Sequence, residues 1–234
     1  MQSPLSILQQ YWQHTAFRGK QENIIQSVLD GKDTLALLPT GGGKSACYQI
    51  PALLKEGLCI VISPLIALMK DQVSNLEKKG IPALAIYSGM AQFDVKQGLQ
   101  KAAYGDYKFL YVSPERLETN LFKEYLPVLN INLLAVDEAH CISQWGYDFR
   151  PTYLRIIQLR NNLSYPVPVL ALTASATPLV QKDVIDKLQL ENPTIFLLTF
   201  IKTVDFINKQ NGTCLLFSCI YYLTNVLHST ANST

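Results

Sequence analysis

Apolar residues in this chain fall into short unbroken runs, separated by longer stretches in which they recur every three or four positions. The runs at 34–38, 58–62, 83–87, 109–112, 133–136, 167–172 and 194–198 have the length of strands. Several are continuous Val, Ile and Leu rather than alternating, which predicts strands covered on both faces. Helical periodicity marks 44–54, 65–79, 92–103, 152–161 and 179–188. Strands that alternate with helices imply right-handed crossovers, so the expected fold is α/β with a doubly wound, mainly parallel sheet. In such a sheet the site forms at the carboxyl ends of the strands, and chemistry-bearing residues should collect there. The pattern runs without internal repeat or low-complexity segment to about residue 200, after which it becomes irregular.

Composition narrows this picture without changing it. A content of 48% hydrophobic and 16% charged residues suits a well-buried α/β protein and argues against disorder. Net charge is 20 − 18 = +2, so any nucleic-acid partner has to be argued from motifs rather than from charge. Cys47, Cys59, Cys141, Cys214 and Cys219 show no C-x-x-C spacing, and neither a zinc site nor a disulfide framework is expected. Residues 1–10 lack the basic start and long apolar core of a signal peptide. The longest apolar stretch, 214–223, has about half the ~20 residues a membrane helix requires. The expectation is a soluble protein of a reducing compartment, cytoplasmic or, in a eukaryote, nuclear.

The strand at 34–38 breaks into Pro39-Thr40-Gly41-Gly42-Gly43-Lys44-Ser45, and a helical pattern starts at once. Strand, glycine-rich turn and helix in that order are the context of a phosphate-binding loop. Glycines let backbone N–H groups curl around phosphate oxygens. Lys44 is then placed to reach the β- and γ-phosphates and Ser45 to hold Mg²⁺, with the helix N-terminus adding positive charge. The strict pattern is not met, because Leu38 stands where its first glycine belongs. A chance glycine turn is the competing explanation, and the flanking strand and helix argue against it.

The strand at 133–136 ends in Asp137-Glu138-Ala139-His140. Asp137 at the strand tip is placed to hold Mg²⁺ opposite Ser45. Glu138 is the candidate to orient and deprotonate an attacking water, and His140 follows closely enough to sense the γ-phosphate. Acidic residues also favour helix N-termini for electrostatic reasons alone, but the phosphate loop elsewhere in the chain weighs against that simpler account.

Asp-Glu-Ala-His resembles the motif II box of superfamily 2 helicases, and the segment from His140 through Trp145, Tyr147, Phe149 and Arg150 to Pro151 resembles the aromatic-rich loop of the RecQ family of DNA helicases. Other stretches resemble that family's boxes in the same order. Phe17-Arg18 with Gln21 is similar to its adenine motif, and Cys47-Tyr48-Gln49-Ile50-Pro51 to the continuation of its phosphate loop. Residues 61–72 are similar to motif Ia, 111–117 to motif Ib and 171–177 to motif III. The resemblance implies that residues 1–200 are a RecA-like, P-loop NTPase lobe binding ATP and Mg²⁺. It further implies that His14, Arg18 and Gln21 hold the adenine and that Thr40 to Ser45 hold the phosphates. Ser63, Lys70, Ser113 and Arg116 would contact phosphates of a single DNA strand. Trp145 and Phe149 would stack on bases, with Arg150 supplying charge, and Thr173 and Ser175 would link the Mg²⁺ site to the DNA face. In the family such lobes drive 3′-to-5′ unwinding of tailed DNA.

Several positions depart from the family pattern. Tyr147 replaces the usual His, Gly19 the usual Pro, Ser175 the usual Thr, and His14 stands where another aromatic ring is common. Residues 201–234 read as the truncated start of a second lobe or a divergent tail, and the sequence holds no arginine after Arg160. A second lobe supplied in trans is therefore a candidate partner. The favoured expectation is the ATPase lobe of a RecQ-like helicase. The alternative is a nucleotide- and single-strand-binding module with no helicase activity of its own. A small-molecule kinase on the same loop does not account for Trp145, Phe149 and Arg150 beside the acidic box.

Overall fold

The computed structural model describes residues 2–198. The expectation for 201–234 lies outside them. In chain order the elements are α1 (Pro4–Trp12), α2 (Gln21–Leu29), β1 (Thr34–Leu37), α3 (Lys44–Leu54), β2 (Leu58–Ile62), α4 (Ile66–Glu77) and β3 (Ala83–Ile86). There follow α5 (Gln92–Tyr104), β4 (Phe109–Val112), α6 (Asn120–Tyr125), β5 (Ile131–Val136), α7 (Ile156–Asn161), β6 (Val169–Thr173), α8 (Pro178–Lys187) and β7 (Thr194–Leu197). Short 3₁₀ turns fill Pro114–Arg116, Leu126–Val128, Ala139–Ile142 and Pro151–Arg155.

The seven strands form one sheet in the order β3-β4-β2-β5-β6-β1-β7, and every pairing is parallel. Burial explains the continuous apolar runs: β2, β4 and β6 are buried along their whole length. Alternate residues of every strand but the edge strand β7 feed two separate cores. Ile60, Leu110, Leu134 and Ala171 face one core, which also holds Val95, Phe122 and Val184 of α5, α6 and α8. Cys59, Val61, Tyr111, Leu133 and Leu170 face the other, with Ile24, Cys47 and Met69 of α2, α3 and α4. Among the described residues no helix is long and apolar enough to cross a membrane.

Local chemistry sets the ends of these elements. Ser3 caps α1 through a reciprocal pair of bonds with Ser6, and Pro4 opens the helix. The pattern read as one helix over 152–161 divides instead into a 3₁₀ turn and α7. Pro151 starts that turn, and the Tyr153 hydroxyl is drawn to the Asp137 carbonyl at 2.9 Å. At the amino edge of the sheet the buried Asp33 carboxylate accepts from Val169 N–H (2.9 Å) and Glu191 N–H (2.7 Å) and pairs with Arg160 (2.8 Å). One side chain thereby joins the entries to β1, β6 and β7.

Candidate nucleotide site and aromatic loop

The chain leaves β1 through a turn closed by Gly42 N–H donating to the Pro39 carbonyl (2.9 Å) and enters α3 at Gly43. Two glycines are required here for different reasons. A Cβ on Gly42 would stand 2.8 Å from the Pro39 oxygen, and Gly43 has φ +72° with Gln21 Nε2 where a Cβ would go. No side chain caps α3, so the N–H groups of its first turn face the open loop, the arrangement that receives phosphate oxygens.

Gln21, at the start of α2, fastens this loop. Its Oε1 accepts from Arg18 N–H (2.8 Å), and its Nε2 donates to the carbonyls of Gly43 (3.1 Å) and Gly42 (3.3 Å). The side chain is 4% exposed with both amide ends engaged, so reading an adenine edge would require exchanging one of these bonds. His14 and Arg18 are exposed beside it, as is Thr40 beside Gly41 in the loop. Behind the loop, Tyr48 and Tyr111 hydroxyls lie 3.1 Å apart, and Gln49 donates to Tyr111 (3.3 Å) and to Gln72 of α4 (3.1 Å). The phosphate-loop helix is thus tied to the helix that carries Lys70.

The acidic box forms where β5 ends. Lys44 Nζ lies 3.1 Å from Glu138 Oε1, and the other Glu138 oxygen lies 3.3 Å from His140 Nδ1. His140 Nδ1 is also 2.9 Å from Thr173 Oγ1 at the tip of β6. Because that hydroxyl donates to the Ser175 carbonyl (3.1 Å), it is left to accept from an Nδ1–H. Glu138 itself holds φ +47°, a left-handed conformation that a non-glycine residue adopts only when its surroundings fix it.

Asp137 is anchored by its backbone, donating N–H to the Ile62 carbonyl at 2.8 Å. One carboxylate oxygen accepts Glu138 N–H (3.0 Å). Burial, followed by the Glu138 charge, pushes its pKa up to about 6, against the partial relief of Lys44. A deep carboxylate with spare lone pairs, together with the Ser45 hydroxyl, is a hard-oxygen donor set suited to Mg²⁺. That ion commonly takes only one or two protein ligands and completes its shell with phosphate oxygens and water. The residues present fit ATP with Mg²⁺. Cys47 and Cys141, by contrast, are buried thiols pushed up to about 12, remaining protonated and unsuited to metal.

The remaining sequence candidates are distributed unevenly. Ser63 and Ser113 end the buried strands β2 and β4 and are each 2% exposed. As placed, neither hydroxyl is open to a phosphate: Ser113 Oγ accepts from Ser88 N–H (3.1 Å), and Ser63 Oγ is buried without a partner among the described residues. Arg116 is spent on the carbonyls of Tyr87 and Met90, both at 2.8 Å. Lys70 is exposed, its ammonium 4.9 Å from the Tyr87 ring centroid.

In the aromatic loop Trp145 is 67% exposed. Phe149 is half-buried beneath Lys187, and Arg150 pairs with Asp148 (2.9 Å) and donates to the Pro64 carbonyl (3.3 Å). Tyr147, seen in the sequence only as a departure from the family, is fully exposed at 103%. Two rings therefore stand free on this loop, Trp145 and Tyr147. Glycine and polar neighbours on both sides of Tyr147 were the available signal.

The family model for DEAD/DEAH box helicases matches residues 18–184. The chain belongs to that family. Within it, the chain is 46% identical over 204 residues to the probable ATP-dependent DNA helicase RecS of Bacillus subtilis, covering 87% of this chain and 39% of that protein. It is 46% identical over 189 residues to the ATP-dependent DNA helicase RecQ of Haemophilus influenzae, covering 80% of this chain and 30% of that one. The expected RecQ resemblance is borne out by these relatives, and the chain spans only about a third of the length of the curated DEAD/DEAH relatives it matches. Among solved structures, the Hef helicase domain of Pyrococcus furiosus aligns with a TM-score of 0.61 at 21% identity, over 76% of this chain and 38% of that one. That likeness establishes the expected RecA-like, doubly wound fold.

Proposed function

We propose that the chain is the ATP-binding and hydrolysing lobe of a RecQ-like, ATP-dependent 3′-to-5′ DNA helicase. The observation that carries this reading is the position of His140. Its Nδ1 meets both Glu138 and Thr173, and it begins the loop that exposes Trp145 and Tyr147. Nucleotide chemistry and a base-stacking surface thus share one residue.

In this reading Gly41, Gly42, Gly43 and the first turn of α3 receive the phosphates, while Lys44 leaves Glu138 for the β- and γ-oxygens. Ser45 and Asp137 would hold Mg²⁺, which supplies charge neutralisation across those oxygens when bound. Glu138, released from Lys44, takes the proton of the attacking water. His140 is the neighbour that senses the change and passes it through Thr173. Trp145 and Tyr147 offer faces on which successive bases stack regardless of sequence, which suits a motor that moves along DNA.

A second reading is a module that binds nucleotide and single strands without unwinding alone. An arginine finger typically contributes ~10³–10⁵ in rate, and where a second lobe donates it the lobe described here would hydrolyse slowly by itself. The test is to measure ATP binding, hydrolysis and unwinding of a 3′-tailed duplex by the 234-residue chain, alone and with a separately expressed second lobe. The expected result is ATP binding with slow hydrolysis alone and stimulation by the added lobe. Failure to bind ATP would overturn the whole reading; Lys44-dependent unwinding by the chain alone would overturn the need for a second lobe.

A further inference from the structure

Helix α8 makes more polar contacts with the aromatic loop than any feature of its sequence announces. The Ser143 hydroxyl, wholly buried, donates to Asp183 Oδ2 at 2.7 Å and accepts the Trp145 N–H at 3.2 Å. Lys187, one turn further along α8, pairs with the same Asp183 oxygen (3.1 Å), donates to the Ile142 carbonyl (3.3 Å) and stands 5.9 Å over the Phe149 ring. Two side chains of one helix therefore hold the loop at Ile142, Ser143 and Phe149, and Ser143 in turn holds Trp145's own backbone. Between these anchors the rings of Trp145 and Tyr147 project into solvent. Bonds from Ser143 and Lys187 also keep the Asp183 carboxyl below its usual range, so the carboxylate is charged whenever the brace is assembled.

We propose that Asp183 and Lys187 are positioning residues that fix the aromatic loop from α8 and so set how Trp145 and Tyr147 present themselves to single-stranded DNA. The proposal rests on the function inferred above. Its physical basis is entropic. A stacking platform on a free loop must be ordered by each strand it meets, at a cost in affinity, whereas a platform already ordered by protein contacts avoids that loss. The ring of contacts also closes on the nucleotide side. His140 at the start of the loop bonds Thr173 at the end of β6, and β6 leads directly into α8. A strand pulling on Trp145 thus acts on α8 and on His140 through separate routes.

The test uses a property of the sequence: Trp12 and Trp145 are its only tryptophans. In a Trp12→Phe background of the whole chain, emission anisotropy reports the motion of Trp145 alone, and titration with an oligo-dT strand reports binding. Asp183→Ala and Lys187→Met are each expected to lower the Trp145 anisotropy and to weaken oligo-dT affinity by about tenfold, the worth of a charge-assisted bond. ATP affinity should remain at the parent value, and Asp183→Glu should recover part of the anisotropy. Unchanged anisotropy and unchanged oligo-dT affinity in both variants would overturn the proposal. If the parent binds no oligo-dT, the DNA reading fails, and the brace is then decided by anisotropy: a fall upholds it as the loop's holder, no fall refutes it. Should Asp183→Ala not fold, Lys187→Met, on a partly exposed side chain, decides by the same measurements.

Discussion

Lys44 and Glu138, 94 positions apart in the chain, meet across 3.1 Å at the mouth of the sheet. Both side chains are largely withdrawn from water. Lys44→Ala removes the cation proposed to face the β- and γ-phosphates. It should weaken ATP binding roughly 10–100-fold, the usual scale for a lost bond to a charged group. Isothermal titration at wild-type affinity would contradict the assignment of this loop.

Glu138→Gln keeps the shape and removes the carboxylate proposed as the base. ATP binding should persist while hydrolysis falls by about 10²–10⁴-fold. Single-turnover rates beside equilibrium binding separate the two effects, and an equal loss in both would make Glu138 a structural residue.

Asp137 carries a pH signature. Its pKa is raised, to about 6 from 3.8, so the folded chain holds this proton more tightly than the unfolded chain does. Between about pH 4 and 6 the unfolded state has already lost the proton, and stability declines as pH rises through that window. A shift of about two units corresponds to roughly 3 kcal/mol. Asp137→Asn should therefore raise the Tm of the ligand-free chain at pH 8, with the gain shrinking toward pH 4. Thermal scans of both proteins at the two pH values check the sign, and a Tm gain that is the same at both would refute it.

Trp145→Ala and Tyr147→Ala should each weaken oligo-dT binding, at ~1–3 kcal/mol per stacked base. Phe149→Ala should act less through stacking, because Lys187 covers its ring. Anisotropy of a labelled strand distinguishes them, and equal loss at all three positions would place Phe149 on the DNA as well.

Asp33→Ala leaves Arg160 and the N–H groups of Val169 and Glu191 without their acceptor. Removing one partner of a buried pair costs about 3–5 kcal/mol, a fall in Tm of roughly 10 °C for a domain of this size. Thermal unfolding that stays within a degree or two of wild type would show that the joint is dispensable.

The sequence pattern located strands well where both faces are apolar. The runs at 58–62 and 109–112 coincide with β2 and β4 to the residue. It fell short at β5, which begins at Ile131. Asn132 interrupts the apolar run there, yet its amide lies within the fold, donating to the carbonyls of Ala52, Lys55 and Glu56. Helices α1 and α2, short and outside the strand–helix alternation, show only in Ser3-Pro4 and in the spacing of Ile24, Ile25 and Val28. The glycine loop and acidic box could be found because each is a local string. Gln21's grip on the loop, Asp33's joint and the α8 brace could not, since their partners lie 21 to 158 positions away and no local pattern encodes such a pairing.

Thr173 divides its labour between backbone and side chain. Its carbonyl accepts Leu38 N–H at 3.0 Å, on the strand that delivers the phosphate loop, while its hydroxyl meets His140 beyond the neighbouring strand. Since β6 lies between β1 and β5, no other strand borders both halves of the site. The two tasks are nonetheless written in different atoms, so they are open to separate tuning. Exchange of the hydroxyl for a methyl, as in Thr173→Val, would leave the bond to Leu38 standing and remove the contacts to His140 and to the Ser175 carbonyl. At this point the sheet joins the strand before the glycine loop to His140 through one residue, and two different oxygen atoms make the two joints.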